Sequence, residues 1–266
     1  MNLHRIFAIF LRQVYLIRRS MGRIFGIFYW SSVELFLWGV LTVYLNHAGN
    51  AAFNFVTVFL GALIFWDFFL RAQHGIATSF LEDVWSRNFA NLFATPIRAG
   101  EFLAGLILTS LAQSLLSLAF MALLAWAFLA FNIIQYGPLL IPFIAVLFMF
   151  GLALGIFTSS LILRFGSAAE ILAWSIPFLF QPFSAVFYPV DALPRFLQPI
   201  SKMFPATHVF EGMRSLVLQQ QFDVQRLIFA AVLAVAYIGI AILVFLYTFR
   251  AAKKRGYLIH FSTESF

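Results

Sequence analysis

Long apolar runs separated by short polar segments dominate the chain. A helix that crosses the hydrocarbon core of a bilayer needs about 20 apolar residues. Six runs are long enough, namely residues 24–45, 53–70, 102–130, 139–163, 171–190 and 227–249. The strictly alternating segments of a membrane β-barrel do not occur in the sequence. The pattern therefore predicts an all-α integral membrane protein with six transmembrane helices.

Composition leads to the same class of protein. The 266 residues are 63% hydrophobic and only 10% charged, whereas a soluble domain has roughly a quarter charged residues. Of the charged residues, only Glu34 and Asp67 fall inside the six predicted spans. The absence of cysteine excludes disulfides, thiolate metal sites and cysteine nucleophiles. We expect residues 1–266 to form a single transmembrane domain in a lipid bilayer.

The net charge of +7 is unevenly distributed along the chain. If the N-terminus is inside, thirteen Lys and Arg residues lie on the inner side and four on the outer side. Cytoplasmic loops carry such an excess of Lys and Arg, so the sequence predicts that both termini are cytoplasmic. The basic residues follow the membrane edge and form no soluble basic surface. We therefore expect no nucleic-acid partner.

The first 23 residues show the pattern of a helix that lies in the membrane interface. Arg5, Arg12 and Arg19 recur every seven residues on one face. The apolar residues on another face are Leu3, Phe7, Phe10, Val14 and Ile17. A basic amphipathic helix of this kind lies flat at the membrane surface. Two roles remain open, an anchor that sets the topology and a docking element for a partner.

The segment 71–101 also has two apolar rows at a spacing of four residues. One row contains Ile76, Phe80 and Val84, and the other contains Leu81, Trp85 and Phe89. Polar residues occupy the opposite face, so the pattern predicts an amphipathic helix parallel to the membrane that ends before Pro96. This helix would serve either as an interfacial anchor or as a lever pushed by a soluble subunit.

Residues 191–223 are too long for a turn and remain rich in apolar side chains. Pro194 and Pro205 each begin a short apolar run, and proline is favoured in the first turn of a helix. Glu211 and Arg214 are three residues apart and can pair. We expect a re-entrant outer hairpin of two short helices that pack back against the bundle.

Three polar or helix-breaking residues interrupt the fifth predicted span. These are Pro177, Gln181 and Pro182. Proline removes a helical hydrogen bond and clashes with the preceding turn. The sequence therefore predicts a kink or a break in this helix.

Motifs for enzymatic chemistry do not occur in the sequence. It contains no GxxxxGK[ST] phosphate-binding loop, no HExxH and no GxSxG. The five histidines are scattered over tails and loops without the spacing of metal ligands. We therefore expect a chain that is not an enzyme and that binds neither a metal ion nor a cofactor.

Glu34 is the most informative single residue, because an ionisable side chain at mid-bilayer costs about 2.5–3.5 kcal/mol on insertion scales. It should face the bundle interior or a cavity. There it would either line a translocation path or pair with Ser31, Ser32 or a neighbouring helix. Asp67 is close to Arg71 near the inner end of its span, which favours a local pair.

Rows of small residues predict close contacts between helices. Gly151, Gly155 and Ser159 form one row, and Gly22 and Gly26 form another. Small residues at this spacing let two helix backbones approach each other. Such rows indicate packing within the chain or a seam between two copies.

Two stretches of the chain resemble the type-2 ABC exporter permeases. The cytoplasmic stretch is Leu92-Phe93-Ala94-Thr95-Pro96-Ile97 with Glu101 and Gly105. The outer stretch contains Phe187-Tyr188-Pro189, Leu193-Pro194, Leu197, Ile200, Phe204-Pro205-Ala206-Thr207, Glu211 and Arg214. The predicted topology and the basic N-terminal helix are also similar to that family.

The resemblance implies a homodimer of six-helix subunits in a bacterial inner membrane. Each subunit works with a separate ATP-binding cassette subunit that holds ATP and Mg²⁺. The N-terminal helix would act as a gate, and the outer hairpin with Pro194, Pro205, Glu211 and Arg214 would shape the exit. The residues that would receive the movement of the ATPase are Phe80, Leu81, Val84, Trp85 and Phe89.

The resemblance also implies an exporter of an amphiphilic substrate, such as a lipid-linked glycan, a polysaccharide or a hydrophobic drug. We expect Glu34, Trp38 and Gln181 to lie on the substrate path. Two alternatives remain open. One is a proton-coupled secondary transporter that uses Glu34, and the other is a membrane scaffold for a biosynthetic complex.

Overall fold

The structure is a computed structural model that describes residues 1–48, 55–86 and 88–254. The described part of the chain is almost entirely helical and contains no β-strand. Its helices are α1 (Leu3–Arg19), α2 (Met21–Ala48), α3 (Phe55–Trp85), α4 (Phe89–Ala94), α5 (Ala99–Leu129), α6 (Ile141–Phe165), α7 (Glu170–Phe180), α8 (Gln198–Ser201), α9 (Pro205–Gln219) and α10 (Val224–Lys254).

Among the described residues, four stretches of helix are long and apolar enough to cross a membrane. They are Met21–Tyr44, Ala99–Leu129, Gly137–Phe165 and Val224–Lys254. They agree with four of the six predicted spans, so the prediction of an all-α membrane protein is confirmed. The second predicted span lies mostly in α3, while its first two residues fall outside the described part of the chain.

The fifth predicted span, residues 171–190, is not one continuous helix. α7 has 11 residues and is about 16 Å long, which is too short to cross a hydrocarbon core of about 30 Å. A 3₁₀ turn at Gln181–Phe183 follows, because Pro182 cannot continue the helical hydrogen bonds. The predicted break is confirmed, and the crossing of the membrane by residues 171–190 stays a prediction.

α3 continues far beyond its predicted span. It runs without interruption over 31 residues, about 46 Å, and ends at Trp85. The prediction of a separate amphipathic helix parallel to the membrane is therefore wrong. Its apolar rows are covered by other parts of the chain, since Ile76, Phe80 and Leu81 are completely buried. A short helix that was not predicted, α4, ends at Ala94, before Pro96.

α6 packs against both α3 and α10 at the centre of the bundle. A Cβ atom on Gly151 would lie 2.7 Å from the Cβ of Ala72, and one on Gly155 would lie 2.9 Å from the carbonyl oxygen of Gln73. This glycine row therefore brings two helices of the same chain together, as predicted. In the described part of the chain, Gly22 and Gly26 have no such neighbour within 4 Å.

α1 lies across α5, with Leu3 and Phe7 exposed and Ile9 and Gln13 buried. A Cβ atom on Gly105 would lie 2.6 Å from the Cβ of Ile9, so this glycine lets α1 approach closely. The predicted helix is confirmed, and its position at the membrane interface stays a prediction.

Arginines hold the end of the bundle at which α1 lies. Arg5 of α1 pairs with Glu101 of α5 over 3.4 Å, Arg12 of α1 pairs with Asp83 of α3, and Arg23 of α2 pairs with Glu82 of α3 over 2.6 Å. Arg5 and Arg12 on the basic face of α1 therefore bind to the protein, whereas Arg19 is exposed. This arrangement ties α1 and α2 to the ends of the longer helices.

The region between α7 and α10 contains two short helices, α8 and α9. Pro205 begins α9, as predicted. Pro194 begins no helix: its carbonyl oxygen accepts a hydrogen bond from the N–H of Leu197 in a turn, and α8 is a single turn with Pro199 near its start. α9 buries Phe210 against the bundle. Insertion of this hairpin into the bilayer stays a prediction.

Candidate substrate cleft and its supports

A cleft of about 400 Å³ opens between α2, α3 and the end of α7. α2 contributes Glu34 and Trp38, one turn apart, and α3 contributes Leu63 and Trp66. The end of α7 and the segment after it contribute Phe178, Gln181, Pro182, Phe187 and Tyr188. The cleft therefore contains all three residues that the sequence assigned to a substrate path.

The walls of this cleft are largely aromatic. The rings of Trp38 and Phe187 are stacked with their centroids 6.2 Å apart, and Phe59 stacks behind Phe187 at 4.6 Å. Trp66 is 1% exposed, and its indole Nε1 has no hydrogen-bond partner among the described residues. Tyr188 donates a hydrogen bond from its hydroxyl to the carbonyl oxygen of Pro182 over 2.5 Å.

Glu34 is half-buried, and it forms no hydrogen bond or ion pair with any residue that the structure describes. The alternative to a place in the substrate path was a structural pair with Ser31, Ser32 or a neighbouring helix. Among the described residues, Ser31 instead donates to Asp67 over 2.8 Å and Ser32 donates to the carbonyl oxygen of Phe28 over 2.8 Å. The Glu34 carboxylate is therefore available to a ligand in the cleft. The place of Glu34 on a substrate path stays a prediction.

Asp67 lies on α3 and has the opposite environment. It is 2% exposed and accepts hydrogen bonds from Ser31 over 2.8 Å and from Ser117 over 2.5 Å. Its oxygen also lies 3.6 Å from Nε of Arg71, which donates from its terminal nitrogen to Ser31 over 3.0 Å. The predicted pair between Asp67 and Arg71 is confirmed.

The role of Ser117 was not predicted from the sequence. It lies on α5, fifty residues from Asp67, and such a distant contact leaves no local pattern. One signal was present, because Ser110, Ser114 and Ser117 recur along one face of α5 and all three are completely buried. A serine stripe inside an apolar helix indicates a polar contact with a neighbouring helix.

A group of charged residues supports the outer wall of the cleft. Glu211 and Arg214 pair over 2.8 Å, as predicted. Arg214 also donates to the carbonyl oxygen of Ala185 over 3.0 Å, and the N–H of Val190 donates to Glu211 over 2.9 Å. These contacts fix both ends of the segment that carries Phe187.

Ala185 has a left-handed backbone with φ of 51°, which costs a non-glycine residue about 1–2 kcal/mol. The hydrogen bond from Arg214 to its carbonyl oxygen helps to hold this conformation. Arg226 at the start of α10 lies 3.7 Å from Glu211, a contact that the sequence did not indicate.

A second cleft of about 450 Å³ lies closer to the α1 end, beside the same three helices. Trp30, one turn before Glu34 on α2, lines it together with Trp85 and Trp174. Its charged residues are Arg23, Arg71 and Glu82. Burial raises the pKa of Glu82, while the neighbouring Arg23 opposes this effect. The charges of Arg23 and Glu82 balance within the cleft, since the two side chains form an ion pair.

Most of the residues predicted to receive the movement of a partner are inaccessible. Phe80, Leu81, Val84 and Phe89 are at most 5% exposed, whereas Trp85 is 50% exposed. Phe80 packs 4.9 Å from Phe89, 6.0 Å from Phe102 and 6.1 Å from Phe245, measured between ring centroids. These four side chains are therefore covered within the chain, and their role in receiving the movement of the ATPase stays a prediction.

The described residues offer no group of three or more His, Asp or Glu side chains that could hold a metal ion. The arrangement is suited to binding a ligand, because the cleft contains the Glu34 carboxylate, which has no partner among the described residues. The cleft is lined by α3, which is one continuous helix.

Comparison with known protein families identifies the chain. A family model described as "ABC-2 type transporter" matches residues 5–218, which include α1, both clefts and nearly all of α9. The comparison with curated proteins finds no match. The chain belongs to the ABC-2 type transporter family and is a multi-pass transmembrane permease component of an ABC transporter, not its nucleotide-binding subunit.

Proposed function

We propose that this chain is the permease subunit of an ATP-driven exporter that moves an amphiphilic substrate across the bacterial inner membrane. The observation that carries the proposal is the cleft that brings Glu34, Trp38 and Gln181 together. An aromatic cleft with few polar groups suits a ligand with an apolar body and a polar end. A lipid-linked glycan, a polysaccharide and a hydrophobic drug are the substrate classes under consideration.

The energy for transport comes from a separate ATP-binding subunit that holds ATP and Mg²⁺. Membership of the family supports this partner, because ABC-2 permeases normally work with one. The partner binds at the α1 end, where Trp85, Asn91 and Pro96 are exposed.

α3 offers a direct mechanical connection between the partner and the substrate. It is one continuous helix from Phe55 to Trp85, so a push near Trp85 displaces the helix as a rod. The same helix carries Leu63 and Trp66 in the cleft. The pairs of α3 with Arg12 and Arg23 make α1 and α2 move with it.

A second copy of this chain completes the path. α2 exposes a broad apolar surface. This surface includes Phe25, Trp30, Leu37, Val40 and Tyr44, and most residues of the helix are not buried within this chain. In a homodimer, this surface of each copy faces the other and the two Glu34 clefts border a shared path. The outer hairpin, with Pro194, Pro205, Glu211 and Arg214, then shapes the exit.

Export is the direction that this proposal assigns, with both termini in the cytoplasm. The inner position of the α1 end is supported by the thirteen Lys and Arg residues that the topology assigns to that side, against four on the other.

Transport by the assembled complex tests the proposal. The chain is purified with its ATP-binding subunit, reconstituted in proteoliposomes, and assayed for ATP-dependent substrate movement. Glu34→Ala should reduce transport at least about tenfold while the complex still assembles, because the cleft loses its only carboxylate. Glu170→Ala removes an exposed carboxylate outside the cleft and serves as the matched control. Normal transport by the Glu34→Ala complex would contradict the proposal.

A proton-coupled secondary transporter is the second candidate, and the free carboxylate of Glu34 is the observation that favours it. This mechanism predicts transport that is driven by a proton gradient without nucleotide and that is uncoupled by Glu34→Gln. A membrane scaffold would tolerate that substitution as long as the complex assembles. The same proteoliposomes, with a pH gradient in place of ATP, distinguish the three possibilities.

A further inference from the structure

The charges of the residues that line the Glu34 cleft indicate the charge of the ligand that it would bind. Glu34 provides the only formal charge among the residues that line the cleft, and none of those described residues is basic. Its charged neighbours Asp67 and Arg71 lie outside the cleft and are already paired with each other over 3.6 Å. The cleft therefore has an unbalanced negative charge whenever Glu34 is ionised.

An unbalanced carboxylate at membrane depth is costly, and the structure offers no internal partner that would reduce the cost. Ionisable side chains inside membranes pair with one another, with backbone groups or with a ligand. Glu34 has no hydrogen bond or ion pair in the described part of the chain. A positively charged ligand would supply the missing counter-charge.

The aromatic walls favour the same ligand. A cation over the face of a Trp, Tyr or Phe ring is attracted by the ring quadrupole, most strongly where water is excluded. Trp38 is half-buried, stacks on Phe187 with one face and lines the cleft one helical turn from Glu34. An aromatic ring beside a carboxylate suits an organic cation.

From these contacts, we infer that the substrate class of this cleft is a lipophilic organic cation. The inference rests on the proposed exporter function and deepens it by choosing among its substrate classes. The phosphate groups of a lipid-linked glycan would face the Glu34 carboxylate without a basic residue in the cleft to balance them. The arginines of the second cleft do not change this, because Arg23 and Arg71 already pair with Glu82 and Asp67.

Two probe ions of nearly the same size and shape test the sign of the charge directly. Tetraphenylphosphonium is a cation and tetraphenylborate is an anion. Binding of each to the full-length chain in nanodiscs is measured by equilibrium dialysis, with empty nanodiscs of the same lipid subtracted. We expect the cation to bind at least about tenfold more tightly than the anion, which corresponds to roughly 1.4 kcal/mol.

Substitutions then assign the binding to this cleft. Glu34→Gln should weaken binding of the cation about tenfold, whereas Glu34→Asp, which keeps the charge, should stay within about threefold of the wild type. Trp38→Leu should weaken it about threefold or more. Glu170→Gln and Trp126→Leu are matched controls on exposed positions outside the cleft, and both should bind like the wild type.

Equal binding of the two ions, or cation binding that survives Glu34→Gln, would overturn the inference. The comparison of the two ions on the wild type needs no variant, so a misfolded substitution cannot hide the answer. The exporter proposal fails separately. If the cation binds through Glu34 but no ATP-driven transport occurs, the site stands and the exporter does not. If ATP drives transport but the cation does not bind, the exporter stands and the substrate class is wrong.

Discussion

Glu34 on α2 and Asp67 on α3 are two carboxylates on neighbouring helices, and their surroundings are opposite. Asp67 is 2% exposed and is satisfied by Ser31, Ser117 and Arg71. Glu34 borders a cleft and has no such partner among the described residues. A buried charge that has partners within the protein stabilises the fold. A charge without such partners at a cleft is available to bind a ligand. The two sites can be separated by substitution.

The largest expected effect is on the fold, at Asp67. Asp67→Ala leaves Arg71, whose side chain is only 15% exposed, without its counter-charge, and breaking a largely buried pair in this way costs about 3 kcal/mol. We expect a large drop in the unfolding temperature of the purified chain in detergent. Glu34→Ala in the same assay should change little. If the two variants lose the same stability, the distinction between the two carboxylates is wrong.

The second-largest expected effect is at Ser117, which donates a hydrogen bond to Asp67. Ser117→Ala removes a hydrogen bond to a charged group and should cost about 1.5–3 kcal/mol. Ser114→Ala is the matched control on the same face of α5, because the hydroxyl of Ser114 is buried without a hydrogen-bond partner. It should be neutral or slightly stabilising. Thermal unfolding of both variants checks the difference, and equal losses would show that Ser117 does not support Asp67.

Some features around these two carboxylates could be predicted from the sequence, and others could not. Continuous apolar windows identified α2, α5, α6 and α10, because the length of a span is a local property. Pro182 located the end of α7 for the same reason.

Long-range contacts left no comparable local signal. Periodicity placed Phe80 and Leu81 on one face of a helix, but it did not indicate that α5 and α10 would cover that face. The pairs of Asp67 with Ser117 and of Arg12 with Asp83 join residues far apart in the chain. Glu34, Trp38 and Gln181 were identified because polar or amphipathic side chains are rare within apolar spans.

A smaller loss of stability is expected at Arg214, which supports the outer wall of the cleft through its hydrogen bond to Ala185. Arg214→Gln removes the donor to the carbonyl oxygen of Ala185 and should cost about 1–2 kcal/mol, because the site is only partly buried. The wall that carries Phe187 and Tyr188 should loosen, so transport should fall more than stability does. Arg195→Gln, on an exposed residue of the same hairpin, is the control. Unchanged transport by Arg214→Gln would show that the outer charged residues do not support the cleft.

The smallest expected effect on stability is at Glu34 itself. Glu34→Gln removes a charge that has no partner in the described part of the chain, so it should not lower the free energy of unfolding by more than about 0.5 kcal/mol. Loss of transport without loss of stability is the combination that defines a residue in the substrate path. A destabilisation as large as that of Asp67→Ala would instead make Glu34 a structural residue.

The absence of cysteine from the sequence allows the most direct measurement of the central claim, that the Glu34 position faces the substrate path of the working transporter. Glu34→Cys and Ser114→Cys are each treated, in the reconstituted complex, with a water-soluble cationic thiol reagent, and the rate of labelling is measured during ATP hydrolysis. Rapid labelling is expected at position 34 and none at the buried position 114. Failure to label position 34, or labelling of both positions at the same rate, would contradict the claim.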